Sequence, residues 1–146
     1  MARRALTLLL CLAACVTQTQ VQRETNLTGE SKELFEKYKQ FLTDGQKDRF
    51  FAMQDEETRK QFIASLQIEA RIASYPKPVQ DAIWQQRIIP GMDKATVLLT
   101  WGVPHDRDFA NTNGVETEWW NFERGSTKAR VQFTQGVVTD VIEGQP

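Results

Sequence analysis

The chain has 146 residues, with 18 Lys and Arg against 19 Asp and Glu, one His and two Cys. That length leaves room for one domain once any leader is removed, which excludes a two-domain enzyme. The balanced charge excludes the basic stripe of a nucleic-acid binder, and a lone His with two Cys is too small a ligand set for a His/Cys zinc site.

The first residues carry an address. Arg3 and Arg4 form a short positive region, Ala5 to Leu12 an apolar core, and Leu12-Ala13-Ala14-Cys15 closes it, so residues 1–14 read as a signal peptide. The apolar run is too short for a hydrocarbon core that takes about 20 helical residues. The closing tetrapeptide resembles the bacterial lipobox, in which small residues admit the peptidase and the Cys thiol is acylated. That resemblance implies a mature chain that starts at a lipidated Cys15 and is held in the membrane by its acyl chains. The other reading is an ordinary secretory peptide whose Cys falls near the cut. Cys11 follows the bulky Leu10 and is the poorer lipid acceptor. Val16 stands where Asp would mark inner-membrane retention, which points to the bacterial outer membrane, periplasmic face.

Residues 15–30 are polar and aperiodic and read as a flexible tether, on the order of 20 Å across as a coil. A helical region follows over 31–87. Leu34, Phe35, Tyr38, Phe41 and Leu42 form one apolar stripe of about three turns. Thr43 and Gln46 fit a capping box ahead of a short helix with Phe50, Phe51 and Met53. Asp55 then caps a helix whose buried side is Phe62, Ile63, Leu66, Ala70 and Ala73, ended by Tyr75-Pro76-Lys77-Pro78. A fourth helix covers Val79 to Arg87, with Val79 and Ile83 inward.

The last region, 88–146, opens on a turn that makes Asp93 the N-cap of a helix from Lys94 to Trp101, stopped by Gly102 and Pro104. Val115 to Phe122, Ala129 to Thr134 and Val137 to Ile142 fit period-two strands, and Gln135-Gly136 joins the last two in a tight hairpin. The long polar loop from His105 to Gly114 leaves room for a short edge strand near Arg107 to Ala110. The fold class expected is α+β: N-terminal helices, then a helix packed on a small three-stranded antiparallel sheet.

This last region also carries a resemblance. Pro90-Gly91-Met92-Asp93-Lys94, Val97, Trp101-Gly102-Val103-Pro104-His105-Asp106, Glu118-Trp119-Trp120-Asn121-Phe122 and Val131-Gln132-Phe133-Thr134-Gln135-Gly136-Val137-Val138 look like the BamE-like (SmpA/OmlA) outer membrane lipoprotein domain. Asp93 replaces the usual Thr or Ser, Trp101 precedes the Gly, and His105 stands before Asp106. In the helical region Leu42-Thr43, Phe50 and Asp55 to Ile63 resemble the lead of GWxTD-type proteins, although the GWxTD stretch itself is absent. Both resemblances imply helices on one face of an antiparallel sheet. Neither implies an enzyme or a cofactor.

Successive strand side chains point to opposite faces, so Trp119 and Trp120 cannot both be core. Trp120 shares a face with Phe122 and fits the position that packs on the helix. Trp119 goes to the other face beside Thr117 and Asn121, either covering the sheet and packing under the helical region or serving as an exposed anchor for a protein partner. Glu116 and Glu118 lie on one strand face about 7 Å apart by strand rise, a spacing that hydrolase carboxylates use. The blander reading pairs them with Lys128 or Arg130 on an exposed face. His105-Asp106-Arg107-Asp108 reads as a solvated turn or as a proton-transfer cluster.

The leading expectation is therefore a non-enzymatic outer membrane lipoprotein that binds an envelope or outer membrane assembly protein, with Trp119, His105, Asp106 and Arg107 as contact residues and the lipid on Cys15 as the membrane partner. The alternative is a periplasmic enzyme or small-ligand binder using Glu116, Glu118 and His105, which requires those groups to converge in one pocket. A peptidoglycan contact is the third possibility.

Overall fold

A computed structural model describes residues 22–124 and 126–144. The signal peptide over 1–14, Cys15 and the first part of the tether lie outside the described residues. The chain divides into two compact units between Leu66 and Gln67.

In the first unit the tether ends sooner than expected. Residues 22–25 are helical and Leu27 is buried, because an apolar side chain beside the first helix gains more from burial than the short polar run gains from freedom. Helix α1 (Gly29–Tyr38) buries Ser31, Phe35 and Tyr38 and continues as one 3-10 turn, Lys39–Phe41. The capping box is present in both halves: the Gln46 N–H donates to Thr43 Oγ1 at 3.3 Å and the Thr43 N–H to Gln46 Oε1 at 2.9 Å, which starts α2 (Asp44–Ala52). The Phe35 ring lies 5.4 Å from Phe50 and 4.8 Å from Phe51, the aromatic centre of this unit.

Asp55 caps α3 (Glu56–Ser65), accepting from the Thr58 N–H at 2.7 Å. The Thr58 hydroxyl and N–H hold the Asp55 carboxyl below the usual aspartate range. From α3, Arg59 reaches back to donate to the Ser31 hydroxyl at 2.9 Å and to the Met53 carbonyl at 2.6 Å, tying together α1, the end of α2 and α3.

The long helix expected from Asp55 to Ala73 is two. Gln67 adopts a left-handed backbone, φ 51°, and α4 (Ile68–Ala73) starts afresh in the second unit. The apolar pattern gives the reason. Phe62 and Ile63 define one stripe, while Ile68 and Ile72 define another that a straight helix would carry on its far side. Breaking at Gln67 buries all four, and Ala70 and Ala73 remain exposed.

Helix α5 (Lys77–Trp84) starts two residues before Val79, since Pro78 costs nothing in the first turn, and it buries Ala82 and Ile83. Asp93 caps α6 (Lys94–Trp101), accepting from the Thr96 N–H at 2.7 Å. The sheet has four antiparallel strands in sequence order, one more than expected: β1 (Asp106–Thr112), β2 (Val115–Arg124), β3 (Thr127–Thr134) and β4 (Val137–Glu143). The edge strand expected near Arg107 to Ala110 is present and longer, Asp106–Thr112, and it takes up most of the segment from His105 to Gly114.

Asn113 and Gly114 have φ of 54° and 82°, and Gln135 and Gly136 have 52° and 82°. These are two-residue turns with both central residues left-handed, the geometry that matches strand twist and for which Asn-Gly is well suited. One face of the sheet carries Trp120, Phe122, Val131, Phe133 and Val138, all buried with Val97 of α6 and Met92. The Trp101 ring meets Phe122 edge-on at 5.3 Å.

Candidate functional site

The open face of the sheet is set by strand register. Asp108 of β1, Trp119 of β2 and Gln132 of β3 are consecutive cross-strand partners, flanked by Asp106, Asn121 and Arg130 one step along. Trp119 lies on this face beside Thr117 and Asn121, as alternation requires, and it is half-buried. Its indole N–H donates to Gln132 Oε1 at 3.2 Å, and the Arg130 guanidinium sits 5.2 Å from its ring centre. Asp108 accepts from Arg130 at 3.2 Å and from Asn121 at 3.3 Å. The result is an aromatic surface ringed by polar groups that already hydrogen-bond one another. At the Asp106 end a depression of about 510 Å³ is lined by His105, Asp106, Asn121, Arg130 and Ile142, among others. The exposed His105 imidazole lies here, while its backbone N–H donates to the Asn121 carbonyl at 2.8 Å.

Arg107 departs from the expected grouping. It is on the opposite face from Asp106 and Trp119, with its guanidinium 4.5 Å from the centre of the Trp120 ring. The physical reason is alternation: within β1, Asp106 and Asp108 share one face and Arg107 and Phe109 the other.

The carboxylate pair is corrected too. Glu118 is not on an exposed face with Lys128 or Arg130; it is 7% exposed on the helix face. The Trp120 indole N–H donates to its Oε1 at 2.5 Å, and Lys94 at the start of α6 forms an ion pair with Oε2. Burial pushes this carboxyl up, but the bonds from Lys94 and Trp120 and the charges of Lys94 and Arg107 outweigh it and hold it below the ordinary glutamate range.

Glu116 stands beside Glu118 in a cleft of about 250 Å³ whose other walls include Lys94, Phe109 and Phe133. His105 lines the depression on the other face. The structure thus brings Glu116 and Glu118 together and does not bring His105 to them. Among the described residues no three His, Cys, Asp or Glu side chains are grouped as a metal site, and no helix is long and apolar enough to cross a membrane.

Sequence reasoning missed Lys94 and Phe109, and it gave Arg130 and Asp108 other partners than the Trp119 ring and each other. Parity was the available signal for the first, since Glu118 has to share the face of Trp120 and therefore needs a counter-charge from the helix. Reading Asn113-Gly114 as a two-residue hairpin turn would have fixed the register of the edge strand and put Asp108 and Phe109 on opposite faces of it. The chain matches no family model, no curated protein and no solved structure.

Proposed function

We propose that this protein is an outer membrane lipoprotein, anchored through Cys15 on the periplasmic face, whose sheet is a non-enzymatic docking module for an envelope protein. Its role on this reading is that of an accessory in outer membrane protein assembly or envelope integrity, in keeping with the BamE-like pattern of its last region.

The observation that carries the reading is Trp119. A large, two-torsion aromatic is held half-buried on the open sheet face by Gln132 and Arg130, so it offers apolar contact area at little ordering cost. Asp106 and His105 extend that surface, and Arg107 drops out of it. The lipid supplies the rest of the affinity by confining the module to one leaflet, which raises its effective concentration toward membrane partners.

A photoactivatable crosslinker at position 119, in cells and read by mass spectrometry, tests the reading. The expected result is one discrete envelope protein, with Trp119→Ala raising outer membrane permeability. Unchanged permeability and no adduct would overturn the docking role. The anchor is checked separately, because Cys15→Ser should abolish labelling by a palmitate analogue and persistent labelling would sink the lipid assignment.

A further inference from the structure

The cleft beside Glu116 opens onto a second unspent feature, the outer edge of β1. All seven residues of this edge strand are exposed. The opposite edge differs: on β4 the Val138 carbonyl accepts from the Gly91 N–H at 2.9 Å and the Val138 N–H donates to Met92 at 2.8 Å, so the segment before α6 covers it. Within this unit and among the described residues, no backbone hydrogen bond reaches the outer edge of β1. A row of free N–H and C=O groups is a template for one more strand. In the middle of that row Phe109 is 72% exposed, a placement that costs free energy unless something covers the ring.

The sequence of β1, Asp106-Arg107-Asp108-Phe109-Ala110-Asn111-Thr112, says what fits. Pairing it antiparallel with itself about Phe109 sets the two Phe109 rings opposite each other, Arg107 opposite Asn111, Asp108 opposite Ala110 and Asp106 opposite Thr112. No like charges sit directly opposite each other. Moving the centre one residue-pair earlier puts Asp108 against Asp108, and moving it one later leaves Phe109 against Asn111 and Asp106 without a partner. The Phe109-centred register also keeps the helix faces of both copies on one side, since every pair joins residues of the same parity.

Charge agrees with this register. Asn111 pairs with Glu116 in the β1–β2 ladder, so the partner subunit's Arg107 lies about 10 Å, two strand spacings, from the Glu116 backbone, a gap two long side chains close when that Arg107 turns outward from its own Trp120 ring. Among the described residues Glu116 makes no ion pair, whereas Glu118 already has Lys94. The cleft is smaller than the roughly 300 Å³ at which small-molecule sites begin, which favours a side chain over a free ligand.

We propose that two copies of this chain associate through β1, antiparallel and centred on Phe109, to form one continuous eight-stranded sheet. The surface used is distinct from the Trp119 face, and the two readings stand or fall separately.

Sedimentation of the full chain in detergent should show a dimer. Phe109→Lys should weaken self-association at least about tenfold while the far-ultraviolet circular dichroism stays native, and Trp119→Ala should leave the dimer intact. Because Phe109 is a surface residue, a second test reads register directly. In a Cys11→Ser, Cys15→Ser background, which leaves no native thiol, the double variant Asp108→Cys, Ala110→Cys should form inter-chain disulfides under oxidation, and neither single variant should. A monomeric wild type, a dimer indifferent to Phe109→Lys, or crosslinking by a single variant as efficient as by the double would overturn the proposal.

Discussion

The two faces of the sheet meet one requirement, an indole N–H that needs an acceptor, with different chemistry. On the helix face Trp120 is 1% exposed, and its acceptor is a carboxylate that must itself be kept charged out of water by Lys94. On the open face Trp119 is half-buried, and its acceptor is the neutral side chain of Gln132. Burial therefore forces a chain of dependencies on one side: ring, carboxylate, ammonium and the helix start that carries the ammonium. The other side keeps its polar groups near water, where each can be lost cheaply. Perturbations of the helix face should be large and pH-dependent, and perturbations of the open face small.

The largest effect expected is Trp120→Ala, which empties the centre of the second unit and should cost about 3–5 kcal/mol in denaturant unfolding. Trp119→Ala losing as much would break the comparison outright. Glu118→Ala should follow at about 1–3 kcal/mol, because it leaves the N–H of the buried Trp120 without its acceptor.

Glu118→Gln sharpens the point, since it keeps an acceptor for the indole and removes only the charge. The Glu118 carboxyl is held below its ordinary value in the folded protein, so its contribution is complete above that value and disappears as pH falls through the lower one. Wild-type stability should therefore drop on acidification below about pH 4, and Glu118→Gln should flatten that part of the profile. Asp55 titrates in the same direction in the first unit and is untouched by the substitution, so the difference between the two profiles isolates Glu118. Identical acid limbs would show that the Lys94 pair contributes nothing.

How much of this could be read from residues alone follows from the range over which each signal acts. Local chemistry was legible: the Thr43/Gln46 box, the Asp55 and Asp93 caps and the Gln135-Gly136 turn each depend on residues within four positions. So was the division of Trp119 from Trp120, which needs only strand alternation. The break at Gln67 was not, because a non-glycine left-handed residue is chosen by the need to bury Ile68 and Ile72 together, and that need is tertiary. Strand β1 was obscured by its own exposure. A strand with no buried face has no period-two pattern, so only a short edge strand near Arg107 to Ala110 could be placed, and its full length and register depend on the Asn113-Gly114 turn. Glu118 was misplaced because its burial depends on a lysine 24 positions earlier, at the start of a helix whose docking angle no local pattern encodes.

The smallest effect expected is the stability cost of Trp119→Ala, below about 1 kcal/mol. What the ring touches on the open face is a surface cation and a glutamine, and exposed ion pairs such as Asp108 with Arg130 contribute only about 0.2–1 kcal/mol. Removing the ring frees Arg130 and Gln132 into water, where both are satisfied, so nothing is left buried and unpaired. Trp119→Phe should separate the two components, retaining the stacking under Arg130 while losing the bond to Gln132, and should unfold within a few tenths of a kcal/mol of wild type. A cost above about 2 kcal/mol for Trp119→Ala would mean that the open face is covered in the folded chain, and Trp119 would then be a core residue of that covered surface and not a contact for another protein.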